Sequence, residues 1–162
     1  MSQDHYFLHG DDVHFDINTG DDATPAWVAM DNAEEPSADL SKNQTTRKPR
    51  KIKYELTRGG KFSNAFSFKY SPVSRPDVAS DAVFDKLWDS FINGKPVQLA
   101  MTSDGMASND SFGFKAWCEI MKMPLPGTAE EGVMLDIEAK PTDYVESGAL
   151  VSPDFITPAA GS

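Results

Sequence analysis

The stretch FGFKAWCEIMKMPLPGTAEEGVMLDIEAK, residues 112–140, decides how the rest of the chain is read. In its first half Phe112, Phe114, Ala116, Cys118 and Ile120 share one side of a two-residue repeat. Gly113, Lys115, Trp117, Glu119 and Met121 share the other. In its second half Val133, Leu135, Ile137 and Ala139 alternate with Met134, Asp136, Glu138 and Lys140. Successive side chains of a strand point to opposite faces, so both halves predict strands with one apolar face. Between them, Pro124 and Pro126 lack the amide that a central strand must donate, which makes the segment around residues 124–132 a connection. Consecutive strands usually pair. The spacing predicts a hairpin with one apolar and one charged face.

At 162 residues and 17.8 kDa, the chain has the size of one domain with a true hydrophobic core. No apolar run reaches the roughly 20 residues of a membrane span, and the first residues lack the basic and apolar regions of a secretory signal. Synthesis in the cytoplasm and no membrane partner are expected. The single cysteine, Cys118, excludes an intrachain disulfide, and its place on the apolar side of a strand predicts a buried thiol, not a nucleophile. The net charge of −10 is unevenly spread. Residues 1–40 hold ten Asp or Glu and no Lys or Arg. Residues 41–76 hold ten Lys or Arg and only Glu55, and residues 77–162 return to fourteen acids against five lysines. Such blocks suit solubility. They also suit self-association, because a basic segment on one copy can meet an acidic surface on another.

Outward from the hairpin, Val13, Phe15 and Ile17 alternate with Asp12, His14 and Asp16, predicting a short strand before the turn at residues 18–22. Residues 27–30 read as extended and apolar. Residues 31–52 show no core face and predict a long exposed loop, of the kind that a function or a partner more often explains. Arg58-Gly59-Gly60-Lys61 carries the turn chemistry of a hairpin. After it, Phe62, Phe66, Phe68 and Tyr70 share a face. Ser80 or Asp81 can cap a helix whose Val83, Phe84, Leu87, Trp88 and Phe91 fall at helical spacing, ended by Asn93-Gly94 and Pro96. Its core face is expected to be Phe84, Leu87, Trp88 and Phe91. A strand at residues 97–101 and a polar loop at residues 102–111 lead back to the central hairpin. Residues 141–162, thin in apolar side chains and broken by Pro153 and Pro158, predict an extended arm. With six to eight strands and one helix, the fold class is mainly β (α+β), a β-sandwich or part-barrel with one flanking α-helix.

Candidate chemistry is sparse. His5, His9 and His14 have no cysteine partner and no ligand spacing, so no metal is expected. The segment at residues 16–21 superficially resembles a calcium loop, but its glycine stands fifth and its twelfth position is Trp27, which cannot chelate. No phosphate-cradling glycine loop and no GxSxG occur. Glu130 with Glu131, and Asp136 with Glu138, are carboxylate pairs of the kind that solvated segments carry without catalysis. The basic run at residues 47–53 lacks the interleaved aromatics of a nucleic-acid surface in an otherwise acidic chain. Neither a catalytic set nor a cofactor is nominated, and the chain is expected not to be an enzyme.

The order of these elements resembles the major tail proteins, the tail tube subunits of long-tailed bacteriophages. The resemblance covers roughly residues 13–141. It rests on AWVAMDNAEEPSADLSKNQTTRKPRK (residues 26–51), YELTRGGKFSNAFSFKY (54–70), SDAVFDKLWDSFINGKP (80–96), VQLAM (97–101) and FGFKAWCEIMKMPLPGTAEEGVMLDIEAKPT (112–142). It implies a single tail-tube domain over residues 1–162 whose copies form hexameric rings, with an inner barrel completed by ring oligomerisation. Rings stack into a tube, and other tail proteins (tape measure, tube tip, terminator) are partners. DNA passes transiently through the lumen without specific binding. Lys42, Arg47, Lys48, Arg50, Lys51 and Lys53 then belong to an inter-subunit loop, while Asp136, Glu138, Lys140 and Glu119 face the lumen as an acidic wall. The same tube fold serves contractile injection and type VI secretion systems, and a monomeric ligand-binding β-barrel is the alternative from another class.

Overall fold

The computed structural model describes residues 13–51, 53–72, 82–124 and 134–158. Among them the chain order is β1 (His14–Asn18), β2 (Trp27–Ala29), β3 (Ala33–Arg47), β4 (Leu56–Tyr70), α1 (Ala82–Asn93), β5 (Val97–Thr102), β6 (Gly113–Lys122), β7 (Leu135–Pro141), β8 (Tyr144–Glu146), β9 (Ala149–Val151) and β10 (Asp154–Ile156). The expected mainly β fold with one helix is present.

One antiparallel sheet dominates, with strand order β2-β1-β5-β6-β7-β4-β3 and β10 added to β6 beside that path. The two ends of the path, β2 and β3, are joined by only residues 30–32. Four Cα steps span at most about 15 Å, so the sheet must roll until its outer strands approach each other. Backbone bonds carry the ladders on either side into that connection: Met30 N–H donates to the Phe15 carbonyl (3.0 Å), extending the β1–β2 pair, and Ser71 N–H to that of Asn32 (3.1 Å), extending the β3–β4 pair. Inside the roll the Phe15 ring on β1 meets Phe68 (4.9 Å between centroids) and Phe66 (6.1 Å) on β4, and Phe66 stacks on Phe114 of β6 (5.7 Å). The result is a part-barrel packed with Phe, Ile, Leu and Tyr side chains.

The central hairpin forms as its alternation predicts. β6 and β7 pair with Glu119 opposite Lys140 and Ile120 opposite Ala139. Phe114, Ala116, Cys118, Ile120, Leu135, Ile137 and Ala139 are all buried. Burial pushes the Cys118 thiol pKa far up, which fits an inert core group. Phe112 lies ahead of the strand and is exposed. Residues 125–133, which hold most of the expected connection together with Val133 and the Glu130–Glu131 pair, lie outside the described residues, as do Ser80, Asp81, His5 and His9.

Three expectations are corrected. The long loop expected over residues 31–52 is mostly strand: β3 takes up Ala33–Arg47, 15 residues paired with β4 apart from two irregularities. Arg58-Gly59-Gly60-Lys61 is not a turn either but lies inside β4, at an irregularity between the pairs Lys42–Phe62 and Gln44–Gly59. A Cβ on Gly60 would sit 3.2 Å from the Asn43 carbonyl oxygen, so the glycine admits a bulge, and the chain reverses only beyond Arg47, before β4 begins at Leu56. Of the arm expected over residues 141–162, the described part, 141–158, is not simply extended. Ser147 (φ 52°) and Gly148 (φ 80°) make a tight turn between β8 and β9, and β10 returns to pair with the start of β6.

Helix α1 ends as expected. Gly94 has φ 65° and donates its N–H to the Ser90 carbonyl (3.0 Å). Leu87 is fully buried in the core, with Val83 and Phe84 packed against it. Ser90 is buried too, its hydroxyl accepting from Ile120 N–H (3.3 Å). Trp88 and Phe91, expected in the same core face, are more than a third exposed. A small serine brings the helix close to β6 on one side and rolls those two rings outward. No described helix is long and apolar enough to cross a membrane.

Candidate assembly surfaces

The face of the sheet turned away from the core is divided in two. Over β1, β5 and the middle of β6 it is covered by a polar layer. Asn18 Nδ2 donates to Gln98 Oε1 (2.8 Å), and its Oδ1 accepts from Gly20 N–H (2.8 Å) and Ala26 N–H (2.9 Å). Gln98 Nε2 and Trp117 Nε1 both donate to Asp22 Oδ1 (3.2 Å each). The Tyr144 ring of β8 stacks on Trp117 at 3.6 Å and 12°, and Glu146 accepts from Ala23 N–H. Trp117, on the supposedly charged side of its strand, is therefore only 5% exposed.

Over β7, β4 and the end of β6 the same face is bare. Asp136 and Lys140 are exposed; Glu138 and Glu119 are half-buried. Cross-strand register brings in two lysines that sequence reasoning did not join to them: Lys69 opposite Asp136, and Lys122 opposite Glu138. Lys140 Nζ is 3.6 Å from Glu138 Oε1, and Lys69 Nζ is 2.7 Å from Glu35 Oε2. That bond holds the Glu35 carboxyl below its ordinary range and raises the Lys69 ammonium above its own. The strip thus carries three carboxylates (Glu119, Asp136, Glu138) and three lysines (Lys69, Lys122, Lys140). It is a near-neutral chequerboard, not the acidic wall expected from β7 alone. The signal was available in the sequence, but only the pairing of β4 with β7 makes it visible.

The second surface is the β3–β4 ribbon. Every residue in 40–47 and 56–63 is exposed; Phe62 still meets the Phe155 ring of β10 (4.9 Å between centroids), and beyond it residues 43–47 and 56–61 project for roughly 17 Å at 3.4 Å per residue. Lys42 and Arg47 lie on β3, and Lys48, Arg50, Lys51 and Lys53 occupy the tip, as a group on one projecting element. With Arg58 and Lys61 on β4 the ribbon holds eight cations against Glu55 alone. Lys42 Nζ lies 4.6 Å over the Phe62 ring. Pairing across the ribbon satisfies the backbone, so a segment with no apolar face can still be a strand.

A rolled antiparallel sheet with one open charged strip, a flanking helix and a basic projecting ribbon defines the architecture. Solved structures share the fold. A structure of the SPP1 tail tube matches with a TM-score of 0.65 at 13% identity, over 93% of this chain and 79% of that one. A chain of the native gene transfer agent virion matches with a TM-score of 0.59 at 12% identity, over 89% and 97%. A chain from the tail of the empty gene transfer agent particle, solved with C6 symmetry, gives 0.58 at 9% identity, again over 89% and 97%. No protein-family model and no curated protein matches the chain. The fold of this chain is the tail tube fold.

Proposed function

We propose that the chain is a structural virion protein, a tail tube subunit whose copies assemble side by side into rings, six to a ring, stacked into a conduit for DNA. The observation that carries this reading is the tail tube fold over 93% of the chain. The C6 symmetry of the gene transfer agent tail supports the ring number. In this reading the bare strip of β7, β4 and β6 turns toward the lumen, and rings join their sheets into one inner barrel that leaves no open edge. Each lysine of the strip lies beside or opposite a carboxylate, so the wall offers passing phosphates little net charge to hold. The basic ribbon makes the contact between copies. The other tail proteins (tape measure, tip and terminator) meet the two ends of the tube, and the chain itself is no enzyme.

Negative-stain electron microscopy of the purified, concentrated protein tests this. Rings or tubes with a central hole are expected. A particle that stays monomeric at every protein and salt concentration tried would overturn the reading.

A further inference from the structure

At the seam where β1 and β2 face the start of β3 lies an open groove of about 380 Å³, lined by His14, Asp16, Asp31, Glu34 and Glu35 among others. Glu35 is bonded to Lys69. Asp16, Asp31 and Glu34 make no hydrogen bond through their side chains and no ion pair among the described residues. Asp16 is the informative one, because it is only 7% exposed and still opens into the groove. A carboxylate set this deep is poorly hydrated and gains from an opposite charge brought to the one side on which it is open. Burial pushes its carboxyl pKa up, and the neighbouring Asp31 adds to that, with His14 opposing.

The groove therefore carries an excess of negative charge, and no described cluster of three or more His, Cys, Asp or Glu could hold a metal ion there. Arg47, Lys48, Arg50, Lys51 and Lys53 of the ribbon tip make no ion pair among the described residues; Lys115 and Lys122 make none either, but they lie singly on β6, whereas the tip gathers five such cations on one projecting element. The chain's own tip cannot serve. Pro36 lines the groove, and Arg47 is eleven residues further along the extended β3, roughly 35 Å away.

We propose that this acidic groove receives the cationic ribbon tip of a second copy of the chain. The inference rests on the tube-subunit reading above and gives the ribbon its receptor. Charge complementarity sets the register: four carboxylates line the groove and one of them, Glu35, is ion-paired among the described residues, while the ribbon carries a large excess of positive charge.

Charge reversal tests it. Asp31→Lys with Glu34→Lys, and separately Arg50→Glu with Lys51→Glu, are each expected to lower tube yield at least ten-fold in a sedimentation assay. All four changes in one chain are expected to restore it. A cysteine pair gives a second measurement, since Cys118 is buried and does not compete. A Glu34→Cys copy mixed with a Lys51→Cys copy is expected to form a disulfide-linked dimer that neither forms alone. Parental tube yield from the Asp31→Lys, Glu34→Lys chain would overturn the inference and leave the tube reading intact. So would failure of the four-change chain to assemble together with no mixed disulfide, which would assign the groove to another occupant. Absence of tubes from the parent protein would instead remove the tube reading itself.

Discussion

Substituting Asp136→Lys together with Glu138→Lys loads the bare strip with positive charge. Both side chains point away from the core and Asp136 is exposed, so ring formation should survive. The strip starts with three carboxylates against three lysines, and each substitution changes the charge by two, which leaves it at +4 per copy. Six copies would then present about +24 on a belt that, from Asp136 to Lys140, is roughly 14 Å tall. Duplex DNA carries one phosphate per about 1.7 Å, so about eight phosphates lie opposite that belt at any moment. Capturing eight of them would give a salt slope near −7, and retention would fall by about four orders of magnitude between 50 and 200 mM salt. The assay is DNA release from particles or tubes carrying the variant, followed across that salt range. Release should stall at 50 mM and recover at 200 mM. Parental release rates at 50 mM from tubes of normal appearance would mean that the strip does not line the channel.

Deleting residues 45–51 removes no buried side chain, so the monomer should melt like the parent while no longer forming tubes by electron microscopy; tubes of normal length would make the ribbon tip ordinary surface. Gly113→Ala should destabilise the monomer by roughly 1–3 kcal/mol or more, because the new Cβ would stand 2.1 Å from the Met101 carbonyl oxygen and 2.8 Å from the Thr102 Cα. Both are β5 backbone atoms that can yield only by separating two strands, and circular dichroism should show the melting temperature falling by at least about 3 °C. Leu87→Ala should cost roughly 2–5 kcal/mol in chemical denaturation and exceed Trp88→Ala, since Leu87 is fully buried and Trp88 is 38% exposed; the reverse order would mean that α1 is rotated the other way on the sheet. Asp16→Asn should stabilise the unassembled chain at pH 7 and leave it unchanged at low pH. The folded carboxyl titrates above the ordinary 3.8, so between the two values the folded chain keeps a proton that the unfolded chain has lost, and stability falls as pH rises through that window. Equal pH profiles for parent and variant, with His14, Asp31, Glu34 and Glu35 unaltered, would show that Asp16 is not strained.

The elements that could be read from the sequence are those with a local reason to exist. Residues 135–140 alternate because one side touches the core and the other does not, and α1 stops where Gly94 adopts a left-handed conformation. β3 has no such local signature. Its polar side chains and Pro36 resemble a loop, and only hydrogen bonding to a partner up to 37 positions away makes it a strand. Gly59-Gly60 misleads for a related reason: a bulge and a turn both need a residue without a Cβ, and the choice is made by the opposite strand. Ser147-Gly148 is a turn signal between short β-prone runs, masked by the prolines that follow. The groove is harder still. Asp16 alternates with Phe15 and Ile17 like any solvent-facing residue, and its burial follows from the rolled seam, which no window of sequence contains.

The ribbon also sets a distance. In a strand, side chains return to the same face only every second residue, so a hairpin can be lengthened without reversing its tip only by adding residues two per strand. Each such addition moves the tip outward by about 7 Å. If the tip of one copy engages the body of another, the axial repeat of the assembly is gauged by a hairpin 15 residues long in each strand, and it can change only in steps of that size. The length of a finished filament would then be a ring count multiplied by a unit written into β3 and β4, so a two-residue insertion in each strand should appear as one uniform increment in helical rise.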